Sequence, residues 1–197
     1  MRASEVTTIV SGPVRIAWAS GADARAAVLR RLLQDAGVPD DTVMHECLHC
    51  GSTEHGPLRA SSGTTVLSLS HAGDLTVGAI ARADAAASVG VDVEADGGSA
   101  RLTGLARLFA PREPPTLREW TMIEAVVKAD GRGLRIAPAD VRFDGALGEA
   151  RQEGHLDAHI AGRAPLEVAE VEAPAGYLIS VAIDPARPDR PARESDR

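Results

Sequence analysis

Several short segments of this chain gather residue types that do chemistry. The first is VGVDVE, residues 89–94. Alternate side chains of a β-strand share a face, so Asp92 and Glu94 fall together while Val91 and Val93 fall on the other side. Adjacent carboxylates repel unless a cation lies between them. Hard oxygen ligands with few fixed contacts suit Mg²⁺, which keeps several waters and bridges to phosphates. Alone, such a pair is ordinarily a solvated strand face.

The second segment, 120–128, reads WTMIEAVVK. Trp120, Glu124 and Lys128 recur every four residues and so line one helical stripe. A Glu followed by Lys at that spacing is commonly a weak surface ion pair. Composition argues for more, because the basic residues are 20 arginines and one lysine, at 128. A compact ammonium differs physically from a planar guanidinium when aimed at a single oxygen.

The third segment is LSLSH, 67–71, in which alternation puts Ser68 and Ser70 opposite Leu67, Leu69 and His71. A histidine closing a strand is usually structural; a Ser-His pair can also donate to an anion. The fourth is HECLHC, 45–50, with His55 beyond it. One C-x₂-C with nearby histidines resembles half of a zinc site, although no second cysteine pair follows.

These residues must be positioned by a chain that is 44% apolar, with a net charge of −7 and no basic block. A nucleic-acid module is disfavoured, since phosphate contacts need a clustered positive face. No apolar run approaches the roughly 20 residues of a membrane span. The first 20 residues carry Arg2, Glu5 and Arg15, unlike a secretory signal. The two cysteines, three apart, make no disulfide framework of the secreted kind, and a cytoplasmic address is expected.

Apolar spacing predicts a strand at 14–19, a helix at 22–36 closed by Gly37 and Pro39, and a strand at 43–48. A loop at 51–63 precedes strands at 65–71, 75–83 and 87–94, with Gly73-Asp74 suited to a hairpin turn. After Asp96-Gly97-Gly98, helices are expected at 99–109 and 115–130, the second stopped by Gly131 and Gly133. Further strands are expected from 138–143, 155–161, 166–172 and 177–183, with Val168, Val171, Leu178 and Val181 buried. A proline- and charge-rich tail at 185–197 should be disordered. Strand, helix, strands, helices, strands is an α+β order.

Taken in order, SLSHAGD (68–74), VGVDVE (89–94) and WTMIEAVVKADGRGL (120–134) resemble the motifs of the 4′-phosphopantetheinyl transferase superfamily. CLHCGSTEHGP (47–57) also resembles the C-x-x-C-G…H-G-x-P loop of its actinobacterial-type members. The resemblance covers about 43–145. It implies the larger, monomeric class: two similar α/β half-domains about a pseudo-twofold axis, here 1–96 and 97–184, with the active site between them.

The resemblance further implies an enzyme that moves the phosphopantetheine arm of coenzyme A onto a serine of an acyl or peptidyl carrier protein. By motif position, Asp92, Glu94 and Glu124 would hold Mg²⁺. Lys128, Ser70 and His71 would meet the phosphates of coenzyme A, and Glu124 and Lys128 would be the catalytic pair. Ile123 and Gly56-Pro57 stand where many members carry a basic residue, which leaves Arg59, and Arg25 with Arg30 and Arg31 behind it, to serve the phosphates. Arg101, Arg107 and Arg112 are candidate carrier contacts. The alternatives are a paralogue that binds coenzyme A or a carrier without turnover, and a zinc-binding interaction module built on Cys47.

Overall fold

The computed structural model describes residues 5–47, 49–97, 104, 106–144 and 155–186. It is a mixed α+β structure with two antiparallel sheets. In the first sheet, β1 (Thr7–Ser11), β2 (Val14–Ser20), β3 (Val43–His45), β4 (Leu58–Ala60), β5 (Thr65–Ala72) and β6 (Leu75–Arg82) lie in the order β1-β2-β6-β5-β4-β3. In the second, β7 (Ala86–Ala95), β8 (Arg142–Phe143), β9 (Leu156–His159), β10 (Leu166–Val171) and β11 (Tyr177–Pro185) lie in the order β7-β11-β10-β9-β8.

Period-2 burial explains the layering. On β2, Ala17 and Ala19 face helix α1 (Ala24–Asp35), which packs Val28 and Leu32 against the outside of the first sheet. Ile16 and Trp18 point the other way, into a core shared with Val91 and Val93 of β7 and Ile179 and Val181 of β11. The outside of the second sheet is covered by helix α2 (Leu117–Asp130), whose Met122, Val126 and Ala129 meet Leu166, Val168 and Ala182. The layers therefore run helix, sheet, sheet, helix.

Helix α2 has well-defined ends. Thr116 and Glu119 form a reciprocal capping box, and Gly131 closes the helix with a left-handed φ of 80°. The middle of α2 is pressed onto β7 at Gly90. A Cβ there would lie 2.0 Å from the Ala125 carbonyl oxygen and 2.5 Å from the Ala129 nitrogen. Only glycine lets backbone approach backbone so closely. Ser88, on the same face of β7, donates to the Ala129 carbonyl at 2.5 Å.

The expected strands at 14–19, 65–71, 75–83 and 87–94 are present, and β5 turns into β6 through Gly73-Asp74. The strand expected at 43–48 ends at His45, where the chain turns back and Glu46 bonds the Pro57 carbonyl. Within the expected loop, Leu58 and Ala60 are buried and pair as β4; β1 was not expected. Residues 138–143 are mostly not strand. Pro138 opens a 3₁₀ turn to Asp140, which leaves Arg142–Phe143 extended. Val168 and Val181 are buried as expected, but Val171 and Leu178 are half-buried, and Ile179 takes the fully buried place on β11.

Of the helix expected at 99–109, residues 104 and 106–109 are helical, and the rest lies outside the described residues. The expected boundary at 97–98 partly lies outside them too, as does most of the expected tail, from 187. The strand preceding that boundary, β7, pairs with β11 along its length. Among the described residues no helix is long and apolar enough to cross a membrane.

Gly90→Ala is expected to force α2 off β7 and to lower stability by about 1–3 kcal/mol, the usual cost of overpacking. Gly104→Ala, at a helical position where no described residue lies within 4 Å of an added Cβ, is expected to be neutral or slightly stabilising. Urea midpoints of the two variants decide this, and equal midpoints would refute the close-approach argument.

Candidate functional site

The site forms where β5, β7 and α2 meet. As an edge strand, β7 presents backbone groups on its outer side that no strand pairs. At Val91 both are satisfied by side chains. Its N–H donates to Ser68 Oγ at 3.2 Å, and its carbonyl accepts from Lys128 Nζ at 3.1 Å. Val91 itself is fully buried between the sheets, so the next side chain, Asp92, is turned toward α2.

Lys128 begins beside Gly90 and reaches along β7. Its ammonium donates to Asp92 Oδ1 at 2.6 Å and Ser70 Oγ at 2.9 Å, as well as to the Val91 carbonyl. An ammonium has three protons on a compact centre, so this tripod uses its whole donor capacity. A planar guanidinium fork could not converge on the same three oxygens, which accounts physically for a lysine in an arginine-rich chain. Ser70 Oγ closes the triangle by donating to Asp92 Oδ1 at 2.8 Å.

Asp92 is only 5% exposed, and its second oxygen, Oδ2, is buried without a hydrogen-bond partner among the described residues. An unpaired carboxylate oxygen in such a place favours a cation or a proton donor. Glu124 lies one helical turn before Lys128 and is half-buried. Burial pushes its carboxyl above the ordinary value of 4.5; the charges of Asp92 and Glu94 add to this and Lys128 opposes it. Three acids thus share one region with one lysine.

Ser70, Asp92, Glu94, Glu124 and Lys128 are therefore brought together. The three carboxylates are not drawn into one tight ligand set. Among the described residues, the group of three such ligand atoms within 4.8 Å of one another is Cys47, Cys50 and His55. His71 is exposed on the face of β5 opposite Ser70. Arg25, Arg30 and Arg31 are exposed on α1, with Arg31 bonded to Asp35 at 3.0 Å. Arg59, on β4, faces Glu46 at 3.6 Å. Arg107 is exposed, and Arg101 lies outside the described residues. Arg112 donates to the Ala139 carbonyl and lines a cleft of about 790 Å³ with Arg118, Glu119 and Arg142.

Sequence reading missed three supports of this site. Gly90 is a lone glycine between valines, a signal of close backbone approach. The T-x-x-E pattern at 116–119 is a legible capping box. The third support is long-range and has no local signal. Arg163 donates to Asp130 Oδ2 and Asp184 Oδ2, each at 2.6 Å, tying the end of α2 to β11. Burial would raise the Asp130 carboxyl, but hydrogen bonds from Arg132 and Arg163 outweigh it and hold the group below the ordinary range.

Two stability measurements check this geometry. Lys128→Met should cost up to about 3 kcal/mol, the low end for breaking a buried pair, because Lys128 is 29% exposed. Adding Asp92→Asn should recover part of the loss, since no buried charge is then left alone. For Glu124, a folded pKa above the unfolded one makes the ionised group destabilising at neutral pH, and the penalty vanishes as pH falls below the unfolded value. Glu124→Gln should therefore raise the urea midpoint at pH 7 and leave it unchanged below about pH 4; no gain at pH 7 would show that neither burial nor the neighbouring acids penalise the ionised carboxyl. Set against models of known protein families and against curated proteins, the chain matches none.

Proposed function

We propose that this protein is a Mg²⁺-dependent 4′-phosphopantetheinyl transferase acting on coenzyme A and an apo acyl or peptidyl carrier protein, built as two similar halves joined near residue 96. The observation that carries the reading is the meeting of Ser70, Asp92, Glu94, Glu124 and Lys128, from three separate sequence segments, at one edge of β7. The helix–sheet–sheet–helix layering is compatible with the two halves that the reading requires.

Carboxylate oxygens are the donors that a hard divalent cation prefers, and the three acids would have to draw closer to hold one. Asp92, Glu94 and Glu124 would hold it, and the buried, unpartnered Asp92 Oδ2 is an acceptor in need of one. When bound, Mg²⁺ supplies charge neutralisation for the coenzyme A pyrophosphate. Glu124, on the helix that also presents Lys128, accepts the proton of the carrier serine hydroxyl. The serine oxygen then bonds to the phosphorus bearing the pantetheine arm, and the bond from that phosphorus to the bridging oxygen of 3′,5′-ADP breaks. Lys128 stabilises the departing phosphate by exchanging its longest contact, the Val91 carbonyl at 3.1 Å, for a phosphate oxygen. Asp92 and Ser70 keep the ammonium aimed while it does so.

Incubation with coenzyme A, Mg²⁺ and an apo carrier should raise the carrier's mass by about 340 Da, the transferred arm. Glu124→Gln should reduce the rate by about 10²–10⁴-fold, the range for a lost general base. Absence of a mass gain on fatty-acid, polyketide and peptide-synthetase carriers alike would overturn the reading. The tripod on Lys128 favours one second reading, a protein that binds coenzyme A or a carrier without turnover. Calorimetric binding of coenzyme A with no mass gain would select it.

A further inference from the structure

The connection between β3 and β4, residues 46–57, buries none of its described residues, which are exposed or half-exposed. Backbone bonds nevertheless close it: Glu46 to the Pro57 carbonyl at 3.0 Å, Cys47 to the Ser52 carbonyl at 2.9 Å and Gly51 to the Cys47 carbonyl at 2.8 Å. Two glycines with left-handed φ, 71° at Gly51 and 99° at Gly56, make the turns. At Gly56 a Cβ would lie 2.7 Å from Cys47 Cα, so the loop doubles back directly against the first cysteine. His45 bonds the Gly56 carbonyl at 2.7 Å through Nδ1 and secures the same return.

This folding brings the Cys47, Cys50 and His55 ligand atoms within 4.8 Å of one another, with Cys50 Sγ and His55 Nε2 already at 3.4 Å. Ligands about 2.0–2.3 Å from a tetrahedral zinc lie roughly 3.3–3.8 Å apart, so the group needs to close by no more than about 1 Å. Loops too small to bury a core are commonly held by metal instead.

We propose that Cys47, Cys50 and His55 bind one zinc ion that staples the β3–β4 loop, with its fourth position open to water or another ligand. Thiolate and imidazole donors select a soft or borderline metal, whereas the carboxylates near Asp92 select a hard one. The two sites are therefore chemically separate, and this proposal stands whether or not the chain transfers phosphopantetheine. In its folded role, the ion fixes the loop bearing Glu46 and hence the partner of Arg59.

The test uses the full chain, reduced and stripped of metal, titrated with Co²⁺. With excess Mg²⁺ present to occupy carboxylate sites, the expected result is thiolate-to-cobalt charge transfer and the intense visible bands of a tetrahedral centre, both saturating at one equivalent and abolished by one equivalent of Zn²⁺. Cys47→Ser, Cys50→Ser and His55→Ala should each weaken binding by roughly 100-fold or more, since even outer-shell partners are worth about 10–100-fold. Weak octahedral spectra, no uptake with both thiols free, or loss of two hydrogens to a Cys47–Cys50 disulfide that rejects metal once reduced would each overturn the proposal.

Discussion

A buried carboxylate at the rim of two sheets needs a cation, and this fold is arranged to bring it one. Asp92 is turned inward because Val91 and Val93 fill the core between the sheets, and strand alternation leaves no other direction. An ionised group so placed is costly unless paired. The compensating charge comes from α2, and it arrives only because Gly90 allows the helix to lie flat on β7. Capping at Thr116 and Gly131, and the tie from Asp130 through Arg163 to Asp184, fix that helix at both ends. Remove the close approach and Lys128 is carried away from all three of its acceptors.

The same arrangement leaves one lysine among Asp92, Glu94 and Glu124. A protein selected for stability alone would not bury a carboxyl beside two others so that it is held above its ordinary pKa. Strained electrostatics of this kind are more typical of sites that act on a ligand than of structural ion pairs. The contrast with Asp130 is instructive. That carboxylate is also buried, but two arginines hold it below the ordinary range, and nothing in its surroundings calls for a further partner.

Much of this was legible in the residues themselves. Alternation in VGVDVE fixed which side chains would share a face, the four-residue spacing placed Glu124 and Lys128 on one stripe, and a single lysine among arginines pointed to a site needing an ammonium. What local pattern does not encode is partnership across the chain. Nothing near 163 announces a contact with 130 and 184, and nothing near 68 announces that Ser68 will satisfy the edge of β7. Short strands were lost for a similar reason: β1 and β4 are defined by the neighbours they pair with more than by their own sequence. The Ser70-His71 pair shows the limit from the other side, since adjacent residues on a strand face opposite ways and only Ser70 joins the cluster.

Lys128 is fixed by the fold in a way that would also suit the proposed reaction. With all three protons given to protein oxygens, its ammonium is held in place before any ligand arrives, and little conformational entropy remains to be lost on binding. The three contacts are unequal: the charge-assisted bond to Asp92 is short, whereas the bond to a neutral carbonyl is long. An incoming phosphate would compete with the weakest acceptor and leave the strongest intact, so the ammonium could change partners without leaving its seat. Asp92 then acts as a positioning residue, and the buried pair that stabilises the junction of the sheets is the same pair that would orient the cation toward a ligand.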